Sequence, residues 1–251
     1  MKPNSLSYFV KVIIVTFFCK AAIAFTNSAI AEIAASTWFK TKETQVRLIS
    51  GSETIGKSGK TQLGLQFKLK DGWKIYWRSP GEAGFPPSIN WNQSTNFEDA
   101  DFYWPSPERF KVLDLQTIGY KKEVIFPIVV KTKDSNNTLK LVAKLSYLTC
   151  NKICIPYDTI LELDLNAGES VETPFNNLIE TFLSRVPKEN TAGLIIKSAS
   201  ITYSQNIFKA RPGKRFIRII TNSEPPFNNP DIFAEGPKGV SFSSPQLTLS
   251  S

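Results

Sequence analysis

Cys150 and Cys154 are the residues of this 251-residue chain whose type and spacing could do chemistry. Two thiols four positions apart can close a disulfide, exchange it with another protein, or hold a soft metal ion. The chain contains no histidine, and Met1 is its only methionine, so a metal would have to rest on the two thiolates alone, a set that suits Cu(I). Fully extended, residues four apart stand about 13 Å from one another at roughly 3.3 Å per residue. A disulfide needs Cα atoms within about 7 Å. The pair can therefore bond only if Asn151-Lys152-Ile153 makes a tight turn, which predicts a hairpin tip with sulfurs facing across it.

Three readings of the pair stand side by side: dithiol exchange, a structural staple, and Cu(I) handling. A ring this small stabilises a fold by only about 2 kcal/mol on the chain-entropy estimate. A chain of this length, 41% hydrophobic with 18 Phe and 5 Trp, can build its core without that help. Lys152, between the cysteines, would favour the attacking thiolate. Glu82, Asp114 and Glu123 are carboxylates that could tune a thiol as proton acceptors, although each also reads as solvated surface. Trp73, Tyr76 and Trp77 read either as a partner groove or as core. The net charge of +8 is scattered and does not mark a nucleic-acid-binding patch. No paired-carboxylate, phosphate-loop or serine-nucleophile constellation rises above background.

The elements that must position the pair read as strands. Leu63, Leu65, Phe67 and Leu69 alternate with Gln62, Gly64, Gln66 and Lys68, the mark of a half-buried strand. Trp73, Ile75 and Trp77 alternate again after Asp71-Gly72. Glu123 to Lys131 is an apolar run whose Pro127 suits an edge strand or a bulge. Leu139 to Tyr147 and Leu161 to Leu165 flank the cysteines with period two. The fold class is all-β, an antiparallel β-sandwich over residues 37–168. Thr173 as cap and Pro174 in the first turn open a helix striped by Phe175, Leu178, Ile179, Phe182, Leu183 and Val186, stopped by Pro187. Helix and linker occupy 169–192. Leu194 to Tyr203, Phe216 to Ile220 and Ile232 to Ala234 read as strands of a second, incomplete β-domain over 193–251, as in the front part of something longer.

The first 31 residues read as an export signal, with Lys2 and Lys11 ahead of the apolar run Val12–Cys19 and a small-x-small site at Ala29-Ile30-Ala31. The run is shorter than the roughly 20 residues a spanning helix needs. Cys19, the third cysteine, falls inside it. Export would place the chain in an oxidising compartment, where two thiols can bridge.

Around the cysteines, Tyr147-Leu148-Thr149-Cys150-Asn151-Lys152-Ile153-Cys154-Ile155-Pro156 resembles the N-terminal periplasmic domain of the thiol:disulfide interchange protein DsbD, in its ScsB-like branch. Gly72 to Gly81 with Gly84-Phe85-Pro86-Pro87, Trp104 to Phe110, Gly119-Tyr120 and Pro230 to Pro237 carry the same likeness. The resemblance implies an immunoglobulin-like sandwich in the periplasm that acts as a protein-disulfide reductase or interchange component, without a cofactor. It implies that Cys154 forms the mixed disulfide and Cys150 resolves it. The implied partners are oxidised thioredoxin-fold proteins such as disulfide isomerases. The family's membrane and thioredoxin-like portions are not in this sequence, so either the chain is a shortened product or its electron donor is another polypeptide. A shielding segment is implied around Lys111 to Ile118.

Overall fold

A computed structural model describes residues 34–189, 193–203, 215–237, 240 and 242–249. The expected export signal and Cys19 lie outside these residues, as do positions 190–192 of the expected linker. In chain order the elements are β1 (Phe39–Lys40), β2 (Thr44–Ser50), β3 (Lys60–Leu69), β4 (Lys74–Gly81), β5 (Ser88–Asn90), β6 (Phe97–Phe102) and β7 (Glu108–Val112). They continue as β8 (Leu115–Lys121), β9 (Glu123–Thr132), β10 (Leu139–Cys150), β11 (Cys154–Leu165), α1 (Asn176–Leu183), β12 (Leu194–Tyr203) and β13 (Arg215–Ser223). Among the described residues no helix is long and apolar enough to cross a membrane.

Two antiparallel sheets face each other as an immunoglobulin-like sandwich. One runs β1-β2-β3-β9-β6; the other runs β11-β10-β4-β8-β7, with β5 pairing β10 beside β4. The inward residues of each strand meet between them: Val46, Leu48, Leu63, Leu65, Phe67, Phe126, Leu141, Ala143, Leu145 and Tyr147 are all fully buried or nearly so. Aromatic edges lock this layer, with Phe67 against Tyr147 at 5.0 Å and Phe126 against Tyr120 at 5.1 Å.

The alternation in β3 predicts one wet face, and the structure covers both. Gly64 is buried because α1 lies across the outer side of the first sheet, and Gln66 is buried with its amide accepting from Arg47 Nε at 2.8 Å and donating to Glu123 at 2.7 Å. A Cβ at Gly64 would sit 2.6 Å from Ile125 Cγ2 and 3.2 Å from Ile179 Cγ1 of the helix, so the helix reaches the sheet only over a glycine. The helix itself is shorter than its stripe suggests. It begins at Asn176, and Thr173 spends its hydroxyl on the Ser50 carbonyl while accepting the Phe175 N–H at 3.2 Å. Arg185 and Val186 already make i→i−3 bonds to Phe182 and Leu183, so the last turn tightens before Pro187.

Two further expectations differ. Pro127 lies in β9, flanked by β3 and β6, and not at an edge. Its carbonyl accepts the Tyr103 N–H at 2.9 Å, so its nitrogen faces the same side, just where β6 has ended at Phe102. One ladder bond is missing there and the strand continues. Ile232 to Ala234 is no strand. It runs as irregular chain between Pro230 and Pro237, and the Ile232 carbonyl accepts from the Arg109 side chain rather than from a neighbouring strand. β12 and β13 pair as a separate two-stranded sheet, with Ile195, Ile196 and Phe216 exposed.

Candidate functional site

Cys150 closes β10 and Cys154 opens β11, so the cysteines are directly opposite in the ladder, with Cα atoms 4.1 Å apart and the sulfurs bonded. The three residues between them turn back at once, the Asn151 N–H donating to the Ile153 carbonyl at 2.9 Å. The strands thus run right up to the sulfurs. That bond, and the Thr95–Lys140 bridge lower on β10, fix which way each strand's odd and even residues point. Cys150 and Cys154 form a non-hydrogen-bonded pair, in which side chains approach most closely.

Strand alternation places the sulfurs on the outer face of the second sheet. Tyr147 and Thr149 turn inward, whereas Leu148 and Cys150 turn outward into a small cluster of their own with Tyr76, Phe110 and Val112. Cys150 is fully buried there; Cys154 is exposed. The bond therefore has one covered and one open sulfur. Tyr76 reaches the cluster from β4, while Phe110 and Val112 reach it from β7. The expected shield over Lys111 to Ile118 is a β-hairpin, β7–β8, and its apolar contacts begin one residue earlier, at Phe110.

The hairpin is held at both ends. Its two-residue turn, Leu113-Asp114, has both φ angles positive (50° and 65°), the geometry of a type I′ turn. On its inner flank the Glu82 carboxylate accepts the Gln116 N–H at 2.7 Å, and the Glu82 N–H donates to the Gln116 carbonyl at 2.9 Å. The loop after β4 packs on the other side of Tyr76. Gly84 has φ +97°, and a Cβ there would lie 2.3 Å from the Tyr76 ring. The ring is closed in, and burial raises its phenol above the ordinary tyrosine value. Among the described residues its hydroxyl has no hydrogen-bond partner.

Lys74 is the β4 residue paired with Cys150, and its carbonyl accepts from Thr149 Oγ1 at 3.0 Å. Its ammonium bonds the Gly72 carbonyl at 2.8 Å and stands 5.6 Å from the Phe110 ring, with Lys121 5.5 Å from the same ring. Burial, then repulsion from Lys121, lowers the Lys74 pKa from the ordinary lysine value. Positive charge at the covered side of the pair favours a thiolate once the bond is open. Lys152 sits exposed in the turn. Of the three expected carboxylates, Glu82 is tied to the hairpin, Asp114 forms its turn, and Glu123 accepts from Gln66 Nε2 at 2.7 Å. Trp77 belongs to the main core and Trp73 packs at its margin. Lys74 had no expected role, because cross-strand register brings it to Cys150; Phe110 and Val112 reach the sulfurs from β7, and Leu148 lies two residues before Cys150 on the same face of β10.

With this geometry in view, residues 45–166 match the sequence model of the family described as thiol:disulfide interchange protein DsbD, N-terminal. This region is a DsbD N-terminal-like domain. Among solved structures, the N-terminal periplasmic domain of ScsB from Proteus mirabilis is 36% identical, with a TM-score of 0.56 over 68% of this chain and 65% of that one. The reduced DsbD n-terminal domain of Neisseria meningitidis aligns at 18% identity and a TM-score of 0.29, over 51% of this chain and 88% of that one. The chain thus spans about two thirds of the ScsB structure's length. No curated protein matches the chain.

Proposed function

We propose that this protein passes electrons through the Cys150/Cys154 pair to oxidised thioredoxin-fold partners in the periplasm. The observation that carries the reading is the asymmetry of the bond, with Cys150 fully buried under an apolar cover and Cys154 at the surface. A passive staple has no need of that difference. The match to a thiol:disulfide interchange family and the likeness to a periplasmic domain support both the chemistry and the compartment.

In the reduced protein, the Cys154 thiolate attacks one sulfur of the partner's disulfide. An intermolecular S–S bond forms and the partner's other sulfur leaves as a thiolate. The Cys150 thiolate, held within reach by the ladder, then attacks the Cys154 sulfur. The partner departs as a dithiol carrying two electrons, and the Cys150–Cys154 bond is restored. The next cycle needs a reductant, which we assign to a membrane-bound dithiol donor.

The test is trapping. Cys150→Ser, exported to the periplasm, removes the resolving sulfur and is expected to accumulate a mixed disulfide between Cys154 and a thioredoxin-fold protein, visible as a band lost on reduction. No adduct, under conditions that trap a known exchanger, together with a reduction potential below about −300 mV, would establish a structural staple.

A further inference from the structure

Residues 231–235, far along the chain from the sandwich strands, grip two of those strands at once. Arg109 of β7 holds Asp231 with two hydrogen bonds, Nε to Oδ2 at 3.1 Å and Nη2 to Oδ1 at 3.2 Å, and Nη2 also donates to the Ile232 carbonyl at 2.9 Å. The Arg109 side chain is only 18% exposed, so this is a partly desolvated, two-pronged contact of the stronger kind. Phe233 then packs against Trp77 of β4 at 6.0 Å, with the Arg109 guanidinium 5.2 Å from its ring. Glu235 accepts from Arg78 Nε at 2.7 Å. β4 and β7 are not neighbours, since β8 runs between them. The segment is therefore a strap across three strands.

The strap touches the same two strands that cover the buried sulfur. Arg109 precedes Phe110, and Trp77 follows Tyr76; alternation sends one member of each pair to the strap and the other to the Cys150 cluster. Among the described residues β7 is the terminal strand of its sheet, paired with β8 alone. Its ladder bonds on one side, its turn, the Glu108–Lys121 pair, the packing of Phe110 and Val112 on the Cys150 cluster and the Arg109–Asp231 contact hold it in place. Of these the Arg109–Asp231 contact is the one made by a segment beyond α1.

We propose that the strap is a positioning element: Asp231 and Phe233, acting through Arg109 and Trp77, fix β7 and β4 so that Phe110 and Tyr76 stay closed over Cys150. Releasing the strap lets β7 lift at its free edge and uncovers the sulfur, without any change at the cysteines themselves. The proposal rests on Cys150–Cys154 being the working site. It adds that a segment beyond α1 sets how open that site is.

The experiment uses the full exported chain, oxidised, with dithiothreitol as the reagent. The disulfide takes two electrons and two protons while dithiothreitol closes to its cyclic disulfide. The rate is followed by quenching and alkylation, alongside amide exchange over 108–118. Asp231→Asn and Phe233→Ala are expected to raise the reduction rate roughly tenfold, the scale of one lost charge-assisted contact. Exchange should quicken in β7–β8 but not in β2, β3 or β9. Glu169→Gln, which breaks the Lys57–Glu169 ion pair at the other end of β11, should leave the rate unchanged. Arg109→Lys keeps the charge but loses the fork; it should fall between wild type and Asp231→Asn, and it decides the matter should Asp231→Asn not fold. Rates within twofold of wild type in the strap variants, or faster exchange spread evenly over the sandwich, would overturn the proposal. No partner protein enters the assay, so its failure leaves exchange standing, whereas an empty trapping experiment removes the working role of the pair without altering the rates read here.

Discussion

Tyr76 shows how much of this site is decided by single side chains. Its hydroxyl is buried beside Cys150 without a partner among the described residues, and an unmet buried hydroxyl costs on the order of 1 kcal/mol or more. Tyr76→Phe keeps the ring under Gly84 and is expected to raise unfolding free energy by about 1 kcal/mol, read from the denaturant midpoint at an unchanged slope. A lower midpoint would mean that the hydroxyl is satisfied after all. The residue scale is also where sequence reading was strongest and weakest. The cysteines, their turn and the facing of the sulfurs follow from spacing and strand periodicity. Lys74 does not, because it meets Cys150 through a cross-strand register that links positions far apart in the chain. Lys152 drew notice by adjacency alone, and it stands in solvent.

Among the elements, the β7–β8 hairpin carries an unusual turn. Type I′ turns favour Asn-Gly because both central residues take positive φ, yet here the pair is Leu113-Asp114, with Leu113 64% exposed. A leucine in that region costs about 1 kcal/mol or more. Leu113→Asn with Asp114→Gly is expected to stabilise the protein by about 1 kcal/mol, and to slow dithiothreitol reduction of the pair by stiffening its cover. Thermal denaturation and the alkylation assay check the two parts separately. β3, β4, β10 and β11 were legible because their alternation is strict, and β9 because of its apolar run, whereas β5, β6, β7 and β8 are not among the strands the sequence pattern predicts. What escaped was context. Gly64 looks wet until α1 covers it, Gln66 until Arg47 and Glu123 bind its amide, Pro127 looks like an edge until β6 ends beside it, and Ile232 to Ala234 look like a strand until Arg109 claims the Ile232 carbonyl.

For the molecule as a whole, the buried phenols set an alkaline limit. Burial pushes Tyr147 up to about 12, with Thr44 pulling the other way through a 2.6 Å hydrogen bond, and burial raises Tyr120 further still. An unfolded tyrosine ionises near 10. A group whose pKa is raised on folding contributes its full stability below the unfolded value and loses it as pH climbs through the folded one. Unfolding free energy should therefore hold steady up to about pH 10 and fall between roughly 10 and 12, with Tyr147→Phe flattening the slope. A midpoint unmoved across that range would show that these rings are wet. β11 ends its sheet, and its even-numbered residues, Pro156 among them, turn their backbone groups to the open side. Asp158, Glu162 and Asp164 share that alternation and are exposed. A bare rim beginning at a reactive sulfur would invite fusion between twins. The missing amide hydrogen and the row of carboxylates make such meetings brief, so copies crowded together still leave Cys154 unclaimed for a different visitor.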